Sequence, residues 1–140
     1  MLKLRLLLIC MVVLLLPKSQ AGQSTLQSGT YRFEDLTARK EANATFRPIL
    51  DGVTHNGVHM HVHEVFLLPG STPHHAHHHP QEEMFLISEG EVEVTIAGKT
   101  TTLGPGSVAF AAAGDEHQIQ NLGTRPAQYF EIILDPPTPH

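Results

Sequence analysis

With 140 residues, 41% of them hydrophobic, the chain is long enough for one domain with a buried core and too short for several. Fourteen acidic against nine basic side chains give a net charge of −5, which argues against a nucleic acid or an anionic membrane surface as partner. Eleven histidines stand beside a single cysteine, Cys10, which rules out a disulfide framework and a cysteine-ligated metal site.

Lys3 and Arg5 precede an unbroken apolar run from Leu6 to Leu16, and small residues follow at Ser19 and Ala21. That order predicts a signal peptide over residues 1–21, with cleavage after Ala21 and a secreted or periplasmic destination. The run is short for a membrane anchor, and it continues well past Cys10, which weakens a lipoprotein reading. After cleavage no membrane attachment is expected. Residues 22–140 then carry six basic and fourteen acidic side chains, a net −8 with histidine neutral.

Residues 22–30 are polar and read as a flexible leader. Tyr31 to Leu36 reads as a short edge strand, and a barrel domain is expected over residues 31–135. Val58 to Leu68 alternates, with His59, His61 and His63 on one face and Val58, Met60 and Val62 on the other. Either face fits the interior, and Glu64 falls on the apolar one. Glu83 to Ser88 is the next strand, and Glu91 to Ile96 alternates with Val92, Val94 and Ile96 inward. Ala97-Gly98-Lys99 turns into Thr100 to Leu103 as a hairpin. Ser107 to Ala111, His117 to Leu122 and Ala127 to Leu134 complete the strands, and residues 136–140 form a Pro-rich tail. Phe85, Ile87, Val92, Val94, Ile96, Val108, Phe110 and Ile119 are the expected core. No stretch keeps helical spacing, so the fold class is all-β, a single-domain sandwich or barrel of jelly-roll type.

The chemistry concentrates in two clusters. In Gly70 to Gly90, His77 and His79 are two apart, which puts both on one face of an extended strand, and Glu83 can return after a turn at Pro80-Gln81-Glu82. In Gly106 to Asn121, His117 follows the turn Ala113-Gly114-Asp115. Three imidazoles and a carboxylate suit one divalent first-row ion, iron or manganese before nickel, cobalt or zinc, and leave two octahedral positions open. The competing reading of His74 to His79 is a loose histidine tract that chelates without forming a site.

The two clusters resemble the paired motifs of the cupin superfamily, G-x5-H-x-H-x3,4-E-x6-G and G-x5-P-x-G-x2-H-x3-N. The first runs Gly70, His77, His79, Glu83, Gly90, with one extra residue after Gly70; the second runs Gly106, Ala112, Gly114, His117, Asn121, with Ala112 in place of proline. The resemblance is to small single-domain members built on the double-stranded β-helix. It implies His77, His79, Glu83 and His117 as metal ligands, a homodimer, and a small-molecule substrate or ligand. A metalloenzyme of the quercetinase-like dioxygenase type is expected. The alternatives are a lyase or isomerase similar to hydroxynitrile-lyase cupins, or a binding module without turnover. His61, His63 and His75 are candidates to line the pocket or to orient a ligand through its second ring nitrogen.

Overall fold

Nine strands and one 3-10 turn make up residues 24–136, the part described in the computed structural model. The expected signal peptide and residues 137–140 of the tail lie outside the described residues. In chain order the strands are β1 (Arg39–Lys40), β2 (Ala44–Val53), β3 (His59–Leu67), β4 (Glu82–Glu89), β5 (Val92–Ile96), β6 (Lys99–Leu103), β7 (Val108–Ala111), β8 (His117–Gln120) and β9 (Ala127–Leu134). They form a six-stranded sheet, β1-β2-β3-β9-β4-β7, and a three-stranded sheet, β6-β5-β8, antiparallel throughout. This is the all-β jelly-roll barrel that the strand pattern predicts.

Alternation decides what each strand buries. Val65, Leu67, Phe85, Ile87 and Tyr129 project inward from the large sheet and meet Val92, Val94 and Ile119 of the small one. Each such side chain contributes about 1.5–3 kcal/mol on burial, so this layer holds the two sheets together. The chain crosses from one sheet to the other at Gly90, whose φ is +72°. A Cβ there would lie 2.6 Å from the Pro126 carbonyl oxygen, so the crossing admits no side chain.

Four expectations change. Tyr31 to Leu36 is not an edge strand, because Phe33–Asp35 closes a 3-10 turn with Asp35 N–H bonded to Arg32 O. The turn is held by the Arg47 guanidinium, which lies 4.0 Å from the Phe33 ring centroid and donates to Leu36 O. In the expected leader, Leu26 N donates to Val53 O and Val53 N to Ser24 O, which ties residues 24–26 to the end of β2. The histidine tract is a loop and not a strand, since Pro73 and Pro80 interrupt any ladder. Short bridges strap it down, Ser71 to Asn121 and His77 to His117. Finally, Val108 and Phe110 are about half exposed, at 50% and 48%, because β7 is an edge strand that turns Ala109 and Ala111 inward instead.

Candidate metal centre

Three separate segments supply the cluster. His77 and His79 come from the strapped loop, Glu83 from the start of β4 and His117 from the start of β8. The loop and β8 are joined by two backbone hydrogen bonds, His77 N to His117 O at 3.2 Å and His117 N to His77 O at 2.8 Å. Gly114 N donates to His79 O at 2.9 Å, so the turn before β8 holds the second histidine too. One ring nitrogen from each of His77, His79 and His117 lies within 4.8 Å of the others. Glu83 Oε2 is 2.9 Å from His79 Nε2 and 2.8 Å from His117 Nε2.

The outer ring nitrogens are committed to backbone carbonyls. His77 Nδ1 donates to His75 O, His79 Nδ1 to Gln81 O and His117 Nδ1 to Asp115 O, at 2.9, 3.2 and 2.9 Å. A carbonyl only accepts, so Nδ1 carries the proton and Nε2 presents a lone pair to the centre. Burial, with Glu131 hydrogen-bonded beside it as a second acidic group, pushes the Glu83 carboxyl up to about 9. Protonated Glu83 has one O–H to share between Glu131 and His79 Nε2, and buried His117 Nε2 is left without a hydrogen bond despite its short approach to the carboxyl. Burial also lowers the His117 pKa, which keeps its ring neutral. A divalent cation in place of that single proton would satisfy all three lone pairs and the carboxylate together. The residues present therefore fit such an ion, and His77, His79, Glu83 and His117 could hold it.

Behind Glu83 stands a residue that the sequence reading did not single out. Glu131 of β9 is buried, and His63 Nδ1 lies 3.4 Å from its Oε2. Burial raises the Glu131 carboxyl, but hydrogen bonds with His63 and Glu83 outweigh that and hold it below the usual range. The inward face of β3 is thus the histidine face, shared with Val65 and Leu67. Glu64 lies on the outer face, where Arg47 and Gln128 bind it. Of the three candidates around the ligands, His63 touches none of them directly and meets Glu131 behind Glu83. His61 does not reach the ligands and pairs with Asp51 instead. The His75 side chain is exposed, and only its carbonyl serves the site. His74 stacks on Phe46 at 5.9 Å and lines the hollow beside the cluster. That hollow, bounded also by Glu83, Phe85, His117 and Glu131, has an accessible volume of about 10 Å³, roughly one water. A wider hollow of about 400 Å³ lies against Gly90, Gly104, Asn121 and Arg125, and no histidine lines it.

A jelly-roll barrel whose two sheets close over three histidines and a glutamate is a metal-binding β-barrel in form. The chain belongs to the cupin family, whose model, described as a cupin domain, matches residues 53–133. A search of curated proteins gives no match. Among solved structures, KdgF from a Halomonas species superposes with a TM-score of 0.67 at 14% identity, covering 79% of this chain and 96% of that one. A sugar phosphate isomerase from Silicibacter pomeroyi gives 0.65 at 18% identity, covering 78% and 77%. A predicted oxalate decarboxylase from Thermotoga maritima gives 0.64 at 22% identity, covering 77% and 100%. At these identities the likeness is one of fold.

Proposed function

We propose that this chain is a metal-dependent enzyme of the small-molecule cupin type, with one divalent ion, iron or manganese by preference, held by His77, His79, Glu83 and His117. The observation that carries the reading is the set of three imidazoles with Nδ1 bonded to backbone carbonyls, whose ring nitrogens gather within 4.8 Å of one another, with the Nε2 atoms of His79 and His117 on the buried Glu83 carboxyl. Such an ion acts as a Lewis acid on a carbonyl or enolate oxygen. The protein's own share is orientation and proton handling. The strapped loop fixes two ligands, and the Glu131–His63 pair stands behind the third as a place to hold a proton. Phe85 and His74, the latter stacked on Phe46, line the hollow beside the ligands.

The expected reaction is of the dioxygenase type found in quercetinase-like cupins. The hollow beside the ligands holds about one water and cannot enclose a flavonoid, whose pocket would run to about 300 Å³ or more, so we favour a compact enediol or 2-hydroxy-carbonyl substrate that meets the ligands at the exposed His77 side. The second reading, a lyase or isomerase, is favoured by Glu131 and His63, a carboxyl–imidazole pair next to the ligands. Elemental analysis should find one ion per chain at this site. Purified protein given small enediols should consume oxygen, His79→Ala should abolish the uptake, and His78→Ala should leave it intact. Metal-dependent turnover without oxygen uptake assigns the second reading, and no turnover with any such compound leaves a binding module. Metal lost equally in both variants would sink the site itself.

Two further properties belong to this reading. The order of basic, apolar and small residues in 1–21 supports export with cleavage after Ala21, which N-terminal sequencing of secreted protein tests. The outer face of β4 and β7 supports a homodimer, because Leu86, Val108 and Phe110 are exposed together there.

A further inference from the structure

The inner face of β3 carries more histidine than the site at Glu83 uses. His63 reaches that site through Glu131, whereas His59 and His61 sit further along the strand between Asp51 of β2 and Asp135, the residue after β9. His59 Nε2 is 3.0 Å from Asp51 Oδ1, and its Nδ1 is 2.5 Å from Asp135 Oδ2. His61 Nδ1 is 3.3 Å from the same Asp51 oxygen, and its Nε2 is 3.9 Å from Asp135 Oδ2. The two rings stand edge to face with centroids 4.3 Å apart. One ligand atom from each of Asp51, His59 and His61 falls within 4.8 Å of the other two.

An irregularity in the sheet creates this convergence. Up to Pro48 the inward residues of β2 are the even-numbered Ala44 and Phe46, paired with Leu67 and Val65. The pairing slips by one residue between Pro48 and Leu50, and beyond it Asp51 pairs with His61 and Val53 with His59. A one-residue slip exchanges the two faces of a strand, so without the bulge Asp51 would point away from the histidines. Proline has no N–H for the ladder and sits where the pairing is interrupted. From the other side Asp135 is fixed opposite His59 by its own N–H, 3.0 Å from His59 O.

A neutral imidazole has one donor and one lone pair. Here carboxylates approach both nitrogens of both rings, so each neutral ring turns a lone pair toward an anion. With both rings neutral the group carries a charge of −2, which one divalent ion cancels. We infer that Asp51, His59 and His61 form a second site for a divalent first-row transition ion of the zinc class, with Asp135 orienting His59 through its other ring nitrogen. It is separate from the first site: β3 lies two ladder spacings from β4, about 10 Å, whereas ions of a dinuclear pair sit roughly 3.5–4 Å apart.

The experiment counts zinc per chain by elemental analysis after gel filtration of the full protein equilibrated with zinc. Wild type should retain two equivalents and the near-isosteric Asp51→Asn/Asp135→Asn variant one. The triple variant His77→Ala/His79→Ala/His117→Ala, which removes the first site and breaks the histidine tract, should also keep one. All five substitutions together should leave none. If wild type holds a single equivalent that the triple variant keeps and Asp51→Asn/Asp135→Asn loses, the second site stands and the first falls. If Asp51→Asn/Asp135→Asn binds as much zinc as wild type, the group is an internal ion cluster and the inference is overturned.

Discussion

Glu83 shows how much one carboxyl can report. Its folded pKa of about 9 lies well above the ordinary glutamate value of 4.5, so with no ion bound it is protonated at pH 7. Its contribution to stability is then full below about 4.5 and is lost as pH rises toward 9. A divalent ion needs the carboxylate and must expel that proton, while neutral His117 has none to give. Titration calorimetry at pH 7 in two buffers of different ionisation enthalpy should therefore show about one proton released per ion bound, falling toward zero at about pH 10. No release at pH 7 would mean that Glu83 is not a ligand. That His77, His79, Glu83 and His117 come together was legible in the sequence because their spacing is local within each motif. Glu131 was not, since its place is set by pairing with β3 and β4. A signal was nonetheless present: it shares the inward parity of Ala127 and Tyr129 in an apolar strand. For the histidine face of β3 the signal was likewise present, in Val65 and Leu67 at the same parity, while the six residues Val58 to His63 alone left it open.

Among the elements, the β5–β6 hairpin is the tightest. It turns on Ala97 and Gly98, with φ of 48° and 77°, the two left-handed residues that a two-residue loop of this type demands. Glycine adopts that region freely, but alanine pays about 1 kcal/mol. Ala97→Asn should raise unfolding free energy by up to about 1 kcal/mol in a denaturant titration, with no change in metal content. A decrease would show that the loop is strained for another reason. Strands and turns with clean alternation were legible here, because period and turn residues are local signals. Tyr31 to Leu36 was misread because its apolar residues cover Arg47 from outside the sheet, a contact that only the folded chain supplies. For the same reason Val108 and Phe110 looked like core: apolar character does not say whether a strand has a second layer over it.

For the molecule as a whole, that uncovered face makes the assembly testable. Light scattering should give a dimer at micromolar concentration and a monomer for Val108→Glu/Phe110→Glu, whose outward charges leave the inward Ala109 and Ala111 untouched. A wild-type monomer would count against the dimer. The last consequence lies in where the ligands are anchored. Glu83 belongs to the six-stranded sheet and His117 to the three-stranded one, so an ion held between them would rivet the two halves of the barrel at its rim. Ion in hundredfold excess over its dissociation constant adds about 2.7 kcal/mol to the folded state. That gain should not be spread evenly. In hydrogen exchange, chelator-treated protein should lose protection first in residues 77–79 and along β8, while β3 and β9, paired along their whole length, should hardly change. Uniform loss across both sheets would mean that the ion stabilises the fold without fastening its halves.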